Sequence, residues 1–269
     1  NGEANRFSIR DVIGPDEYHE HVDDNLFTNY MAAWNLRQGV EAAQRLLASR
    51  SKWARALVEG LQLRAEEWRE WQNIAENLGL LLYPDRRIAE QHRGFFELED
   101  FDVKALSTRR FQGSEYERLE RIHRSQTLKQ ADVLTLQMLW PDAMDPQMQR
   151  NNWRYYEPRT THDSSLSSCV HSIVASDLGL HRKAYEYFRF SALTDLDDRM
   201  ENAAEGLHAA AMGGTWQAVV RGFLQLRPSV NGLNLKPRLP DAWNGLRLNL
   251  RYQGSTYKVK VEGDSLTLE

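Results

Sequence analysis

The feature that most constrains the fold is a change in hydrophobic periodicity close to residue 226. Before it, apolar residues recur at helical spacing in the segments 28–49, 52–77, 125–140, 164–179, 181–196 and 201–226. After it, stretches such as LRLNLRY and TYKVKVE alternate apolar and polar residues, as strands do. Paired helices without strand–helix–strand alternation argue against Rossmann and TIM-barrel folds. We therefore predict a mainly α chain with a small C-terminal antiparallel β domain, divided into residues 1–226 and 227–269.

The local signals refine this prediction. The first two helical segments should form an antiparallel hairpin, with Thr28 as the cap of the first and Gly79 at the end of the second. Residues 80–112 combine turn residues and aromatics without clean periodicity, which favours a long loop over a cleft. The tail of roughly 40 residues is too short to close its own core, so it should pack on the helices or on chain outside this sequence.

Composition restricts the class of function. The net charge is -4 without a block of Lys or Arg, so nucleic acid is not an expected partner. We expect no membrane span, because the sequence contains no apolar run of about 18 residues. The single Cys169 excludes an internal disulfide and a Cys-based zinc site and suits the cytoplasm. The Gly-rich loops that hold nucleotide phosphates do not occur, so we expect no cofactor and a small-molecule substrate.

The start of the chain, NGEANRFSIRD, does not read as a signal peptide. It reads instead as the middle of a longer protein.

A dense polar run, GPDEYHEH, lies ahead of the first helix. It could be a charged loop that caps the helix. It could also bind a metal through His19, Glu20 and His21, because alternate residues of an extended segment face the same side. In a third interpretation Glu17 is a carboxylic acid in a partly dry cleft, where burial would favour the protonated form that a general acid needs. The residues alone leave all three open.

Three further stretches carry polar groups in helical surroundings. TTHDSSLSS predicts a helix start capped by Asp163 or a hydroxyl, where the backbone N–H groups of Ser164, Ser165 and Leu166, with the serine hydroxyls, could cradle an anion. An ordinary cap is the alternative, and a Ser-His-Asp triad lacks its usual G-x-S-x-G turn. EGLHAAAMGGTW places His208 on a helix among small residues, where it could equally be a core histidine. TLKQADV places Lys129 in an apolar helix start, either paired or in a solvated first turn.

Taken together, these stretches resemble glycoside hydrolase family 65, the family of maltose, kojibiose, nigerose and trehalose phosphorylases. GPDEYHEHVDDNLFTNYMAAWNL, EQHRGFF, LKQADVL, RTTHDSSLSS with HSIVASDLG, and GLHAAAMGGTW occur here in the family's order and at similar spacing. The resemblance implies the later part of an (α/α)6 helical-hairpin barrel followed by a small β domain. It further implies that a front β-sandwich domain and the first barrel helices are missing, and that the protein could be a homodimer.

The resemblance also implies a reaction and a set of roles. An α-glucosyl disaccharide would be cleaved by inorganic phosphate, with inversion, into β-glucose 1-phosphate and a free sugar. Glu17 would be the general acid, and no metal would be needed. Substrate binding would fall to Lys129, Gln130, His162 and Asp163, and phosphate binding to Ser164, Ser165 and His208.

Two alternatives remain at this stage. An inverting hydrolase would need a second carboxylate about 6.5 to 9.5 Å from the acid, and Asp163, Glu157 and Glu205 are the candidates. The chain could also be a non-catalytic fragment or subunit that needs its complement.

Overall fold

The computed structural model describes residues 7–105, 113–229, 232–263 and 265–269. The chain forms two compact units, Asn1–Leu136 and Gln137–Glu269. Within the described ranges, no helix combines the length and apolar character needed to cross a membrane.

The first unit is mainly helical. Its elements are α1 (Leu26–Ala48), α2 (Lys52–Gly60), α3 (Ala65–Asn77), the short strands β1 (Leu82–Tyr83) and β2 (Ile88–Ala89), α4 (Glu115–His123) and the start of α5 (Asp132–Leu139). Helices α1 and α3 are antiparallel, because the Asn29 side chain donates to the carbonyl of Gly79 and the Arg37 side chain donates to that of Ala75. The predicted hairpin is therefore present, formed by α1 and α3.

Its details differ from the prediction in three places. The segment 52–77 is two helices, because the chain leaves α2 after Gly60 and Gln62 takes a left-handed conformation with φ 50°. Thr28 is not the cap of α1: Asn25 is, and its side chain accepts the Thr28 N–H at 3.0 Å. Gly79 is not a left-handed helix terminator; its N–H donates to the carbonyl of Phe7 at 2.9 Å.

Part of the segment after α3 belongs to the core and the rest is exposed loop, and its position over a cleft stays a prediction. It contains the antiparallel β1–β2 pair and a 3₁₀ turn at Phe95–Glu97. Gln91 and Phe95 are 1% and 0% exposed. Residues 106–112, which belong to the predicted loop, lie outside the described part of the chain.

The second unit contains helices and a sheet. Its elements after α5 are α6 (Pro146–Tyr156), α7 (Ser167–Asp177), α8 (His181–Ala192), α9 (Ala209–Gln217), which continues as a π-helix over Ala218–Phe223, and the strands β3 (Arg227–Ser229), β4 (Gly232–Asn234), β5 (Gly245–Tyr252), β6 (Ser255–Glu262) and β7 (Ser265–Leu268). The last helix is shorter than predicted, because a 3₁₀ turn and Gly206, with φ 130°, precede it. The helix predicted for 125–140 likewise begins only at Asp132.

The tail is antiparallel and packs on helical residues, as predicted. Strands pair in the order β5–β6–β7, with Leu248 opposite Val259 and Val259 opposite Leu268. Val259 forms a buried apolar cluster with Leu224, which follows the π-helix. The sheet therefore completes the core of the second unit. The structure confirms a mainly helical chain with a small C-terminal antiparallel sheet.

Candidate functional site

The polar run ahead of α1 is organised by the buried carboxylate of Asp16. This side chain is 2% exposed, and its Oδ1 accepts the backbone N–H of Lys129 at 2.8 Å. Its Oδ2 lies 2.8 Å from Nδ1 of His19. The N–H of Asp16 in turn donates to Oδ1 of Asp132 at 2.7 Å. Two loops far apart in sequence are therefore joined through one carboxylate.

The second carboxylate of this network explains why residue 14 is a glycine. Asp132 is 0% exposed, and its Oδ2 accepts from the side chain of Asn25 at 2.7 Å. Burial and the nearby charge of Asp16 raise the pKa of Asp132 well above its usual range. A Cβ on Gly14 would overlap Oδ2 of Asp132 and come within 2.5 Å of the Asn25 amide nitrogen. Only glycine fits against this network.

Glu17 lies on the outer side of the same loop. Its side chain is 61% exposed and forms an ion pair with Nζ of Lys129, which is 27% exposed. The Gln130 side chain donates to the carbonyl of Pro15 at 2.6 Å. The structure thus brings Glu17, Lys129 and Gln130 together. The prediction of a partly dry cleft around Glu17 is wrong for the described residues, because the carboxylate is open to solvent. Lys129 and Gln130 precede α5 rather than lying on it.

A metal site in the same polar run would require the side chains of His19 and His21 to face the same side, and they do not. His19 is 5% exposed and its Nε2 lies 2.9 Å from the carbonyl of Ser125. His21 is 80% exposed and its Nδ1 contacts Oδ1 of Asp11 at 2.7 Å, so the two rings do not face the same side. Over the described residues, no group of three His, Cys, Asp or Glu side chains is arranged to hold a metal ion.

In the second unit, His162 begins the HDSS stretch in a strained conformation. Its φ is 60°, in the left-handed region that non-glycine residues rarely adopt. Its Nδ1 lies 2.9 Å from Oγ of Ser167, and its ring packs edge-on against His171 at 4.5 Å. Burial lowers the pKa of His162 well below its usual range. His162 is therefore a neutral, fixed imidazole at the start of the loop.

The following residues do not cap α7 in the predicted way. Helix α7 begins after Leu166 without a side-chain cap. The N–H of Asp163 donates to Oγ1 of Thr161 at 3.2 Å, and Oγ of Ser164 accepts the N–H of Leu166 at 3.3 Å. Asp163 is therefore not the cap, and Ser164 satisfies one of the free N–H groups of the turn. Ser164 and Ser165 are partly exposed.

A polar group beneath this loop involves Glu157, one of the carboxylates considered as a base. Oε1 of Glu157 accepts from the Tyr187 hydroxyl at 2.8 Å and from Nζ of Lys183 at 3.0 Å. Burial acts to raise the pKa of Glu157, but the two donors outweigh it and leave this pKa below its usual range. Tyr187 also packs 5.2 Å from the ring of His171. Sequence patterns did not indicate that these side chains meet, because they come from three elements: the turn after α6, helix α7 and helix α8.

His208 is not on a helix, in contrast to the prediction. It is the residue before α9. Its Nδ1 lies 2.5 Å from Oδ1 of Asp195, and its N–H donates to Oδ2 at 3.0 Å. The side-chain hydrogen bond from His208 is the main reason why the pKa of Asp195 is lowered. Asp195 thus fixes the orientation of the imidazole, a contact that the sequence did not reveal.

Helices α7 and α9 run parallel to each other. A Cβ on Gly214, in α9, would lie 2.9 Å from Cβ of Cys169, in the first turn of α7. Later in both segments, the Ser176 hydroxyl donates to the carbonyl of Gly222 at 2.8 Å. Because both helices run in the same direction, their N-terminal ends lie at the same end of the unit. Ser164 and Ser165 precede one of these ends, and His208 precedes the other.

Comparisons with known proteins agree with this organisation. Residues 1–217 match the glycosyl hydrolase family 65 central catalytic domain, and residues 226–269 match the C-terminal domain of the same family. The chain is 36% identical to a kojibiose phosphorylase from Caldanaerobacter subterraneus, over 99% of this chain and 35% of that protein. It is 38% identical to an α,α-trehalose phosphorylase from Thermoanaerobacter brockii, over 98% of this chain and 34% of that protein.

A solved structure gives the same result. It comes from the human microbiome, is provisionally named a kojibiose phosphorylase, and superposes with a TM-score of 0.86 at 29% identity, over 98% of this chain and 36% of that one. The chain therefore spans about a third of the length of the relatives that it matches. Both of its parts match the same family, and the chain belongs to glycosyl hydrolase family 65.

Proposed function

We propose that the protein carrying this chain is a disaccharide phosphorylase. It cleaves an α-glucosyl disaccharide with inorganic phosphate and inversion, and the products are β-glucose 1-phosphate and a free sugar. Family membership and relatives named kojibiose and trehalose phosphorylase support the reaction class. In this proposal the helices belong to the later part of an (α/α)6 barrel, which the mainly helical fold and the structural similarity support.

Glu17 is the general acid in this mechanism. A phosphate oxygen attacks the anomeric carbon while the bond to the leaving oxygen breaks, and the proton of Glu17 passes to that oxygen. The exposure of the side chain supports this role, because substrate can reach it. Its contact with Lys129 also fixes the direction in which the carboxyl group points.

The parallel arrangement of α7 and α9 is the observation that carries the proposal of phosphate binding. Helix N-terminal ends attract anions through their unpaired N–H groups and the helix dipole. The ends of these two helices lie on the same side of the unit, and Ser164 and Ser165 directly precede the end of α7. His208 adds an imidazole whose Nδ1 is occupied by Asp195, which leaves Nε2 for an anion.

The groups proposed to bind the reacting sugar are uncharged and charged hydrogen-bonding side chains. Lys129 and Gln130 are held next to Glu17 through their contacts with that residue and with Pro15. His162 is neutral and rigidly held, which suits hydrogen bonding to a hydroxyl. Asp163 is exposed and follows directly in sequence.

The hydrolase alternative depends on a second carboxylate that can act as a base. Glu157 is a poor candidate, because Tyr187 and Lys183 occupy Oε1 and lower its pKa. Asp163 and Glu205 are exposed and remain candidates. Phosphate, by contrast, is its own nucleophile and needs only the acid.

A substrate screen of the full-length protein tests the proposal. Kojibiose, trehalose, maltose and nigerose are each incubated with and without phosphate, and glucose 1-phosphate and free sugar are measured. We expect one or more disaccharides to be cleaved only when phosphate is present. Equal sugar release in phosphate-free buffer would favour the hydrolase. No release in either buffer, for any of the sugars, would favour a non-catalytic role; dimerisation is tested separately by light scattering.

A further inference from the structure

The carboxylate of Asp16 binds both loops that carry the proposed acid and its cationic partner. Oδ1 accepts the N–H groups of Lys129 at 2.8 Å and of Gln130 at 3.4 Å. Oδ2 contacts Nδ1 of His19 and accepts from the side chain of Gln91 at 3.3 Å. Asp16 also directly precedes Glu17 in the chain. One side chain therefore fixes the backbone next to the acid and the backbone of its partner.

A closed ring of hydrogen bonds holds Asp16 in turn. Its N–H donates to Oδ1 of Asp132, and the N–H of Asp132 donates to Oε1 of Gln91 at 3.0 Å. The amide nitrogen of Gln91 returns to Asp16. Asp16, Asp132 and Gln91 are 2%, 0% and 1% exposed, so none of the three presents a surface to a substrate. Any effect of the ring on the reaction must act through the groups that it holds.

We propose that Asp16 is a positioning residue that sets the separation between Glu17 and Lys129. This inference rests on the proposed function. It assigns a positioning role to a residue that does not itself touch the substrate. If the carboxylate is lost, the Asp16 N–H to Asp132 and Gln130 to Pro15 hydrogen bonds still join the two segments, but the backbone N–H groups of Lys129 and Gln130 are no longer held by a charged acceptor. A displacement of about 1 Å at a reacting group costs on the order of 100-fold in rate.

The test compares two donors in the full-length protein. One is the disaccharide cleaved by the wild type, whose leaving oxygen must be protonated. The other is α-glucosyl fluoride, whose fluoride leaves without a proton from the acid. Asp16→Asn keeps the volume and one acceptor oxygen but turns an amide toward His19 and Gln91. Asp11→Asn is the matched control, because Asp11 lies at the surface with 75% of its side chain exposed.

We expect Asp16→Asn to lower kcat for the disaccharide by roughly 100-fold, to lower kcat for the fluoride much less, and to leave the KM for phosphate unchanged. Asp11→Asn should change neither rate. Equal fractional losses with both donors would overturn the inference, because a purely structural defect does not distinguish leaving groups. If the wild type shows no phosphate-dependent turnover, the proposed function fails, and the inference fails with it.

A second variant covers the case in which Asp16→Asn does not fold. His19→Gln removes the imidazole from Oδ2 of Asp16 and leaves the carboxylate in place. We expect the same difference between donors at a smaller size. Equal losses with the two donors, or no loss with either, would again contradict the positioning role.

Discussion

Replacing Gly214 by alanine tests the close contact between the parallel helices α7 and α9. A Cβ at this position would overlap Sγ of Cys169 and lie 2.9 Å from its Cβ. Cys169 is itself buried, at 5% exposed, so it has little room to move away. Gly213 is the matched control, because it is in the same helix and a Cβ there meets no atom within 4 Å.

The magnitude follows from two opposing effects. Alanine in place of glycine inside a helix contributes about 0.8 to 1 kcal/mol of stability at either position. Overpacking a filled site costs about 1 to 3 kcal/mol, and this cost applies only to Gly214. We therefore expect Gly213→Ala to be slightly stabilising. The free energy of unfolding of Gly214→Ala should be lower than that of Gly213→Ala by about 1 to 3 kcal/mol.

Denaturant unfolding of the two variants measures this difference, and phosphate kinetics give a second readout. Gly214→Ala should raise the KM for phosphate, because it pushes apart the helix ends next to Ser164 and His208. Adding Cys169→Ala should recover part of the lost stability, because it removes the overlapping sulfur. If Gly214→Ala is as stable as Gly213→Ala, or if Cys169→Ala gives no recovery, the close packing of the two helices is refuted.

Three further outcomes are expected. Glu17→Gln should lose about 10² to 10⁴-fold in kcat on the disaccharide but retain turnover of α-glucosyl fluoride; full activity on the disaccharide would remove Glu17 from its role. Burial lowers the pKa of His171 to about 4, so this histidine binds a proton at higher pH in the unfolded chain than in the folded one, and its contribution to the free energy of unfolding should fall by about 3 kcal/mol between pH 6.5 and 4. Thermal unfolding at several pH values checks this, because His171→Phe should make the melting temperature depend less on pH. Trp243→Ala should lower the free energy of unfolding by about 1 to 3 kcal/mol, because the half-buried Trp243 ring packs 5.1 Å from the ring of Phe223; no measurable loss would show that this contact does not anchor the tail.

Much of the fold could be predicted where apolar periodicity is strong. The segment that forms α7 is almost wholly buried, and the alternation in the tail gave β5 and β6. The prediction missed α6, because PQMQRNNWRYY is mainly polar. The sequence nevertheless indicates where this helix starts, because Asp145 is its cap and Pro146 lies in its first turn. Only Gly60 signals the break after α2 in the sequence, because Gln62 takes the left-handed conformation without being a glycine.

The candidate site could be predicted only in part. Physical reasoning found the polar runs, and the family resemblance selected Glu17 and Lys129, which the structure brings into contact. The role of Asp16 could not be predicted, because it depends on hydrogen bonds to residues more than a hundred positions away. The division at residues 226 and 227, and the individual roles of the site residues, stay predictions.

The anomeric configuration of the first product tests the central claim most directly. Time-resolved ¹H NMR of the full-length protein with its disaccharide and phosphate distinguishes the two anomers of glucose 1-phosphate, which do not interconvert. The proposed mechanism, with Glu17 as acid and phosphate as nucleophile, predicts β-glucose 1-phosphate as the first sugar phosphate formed. The appearance of α-glucose 1-phosphate, or of free glucose in place of any sugar phosphate, would contradict it.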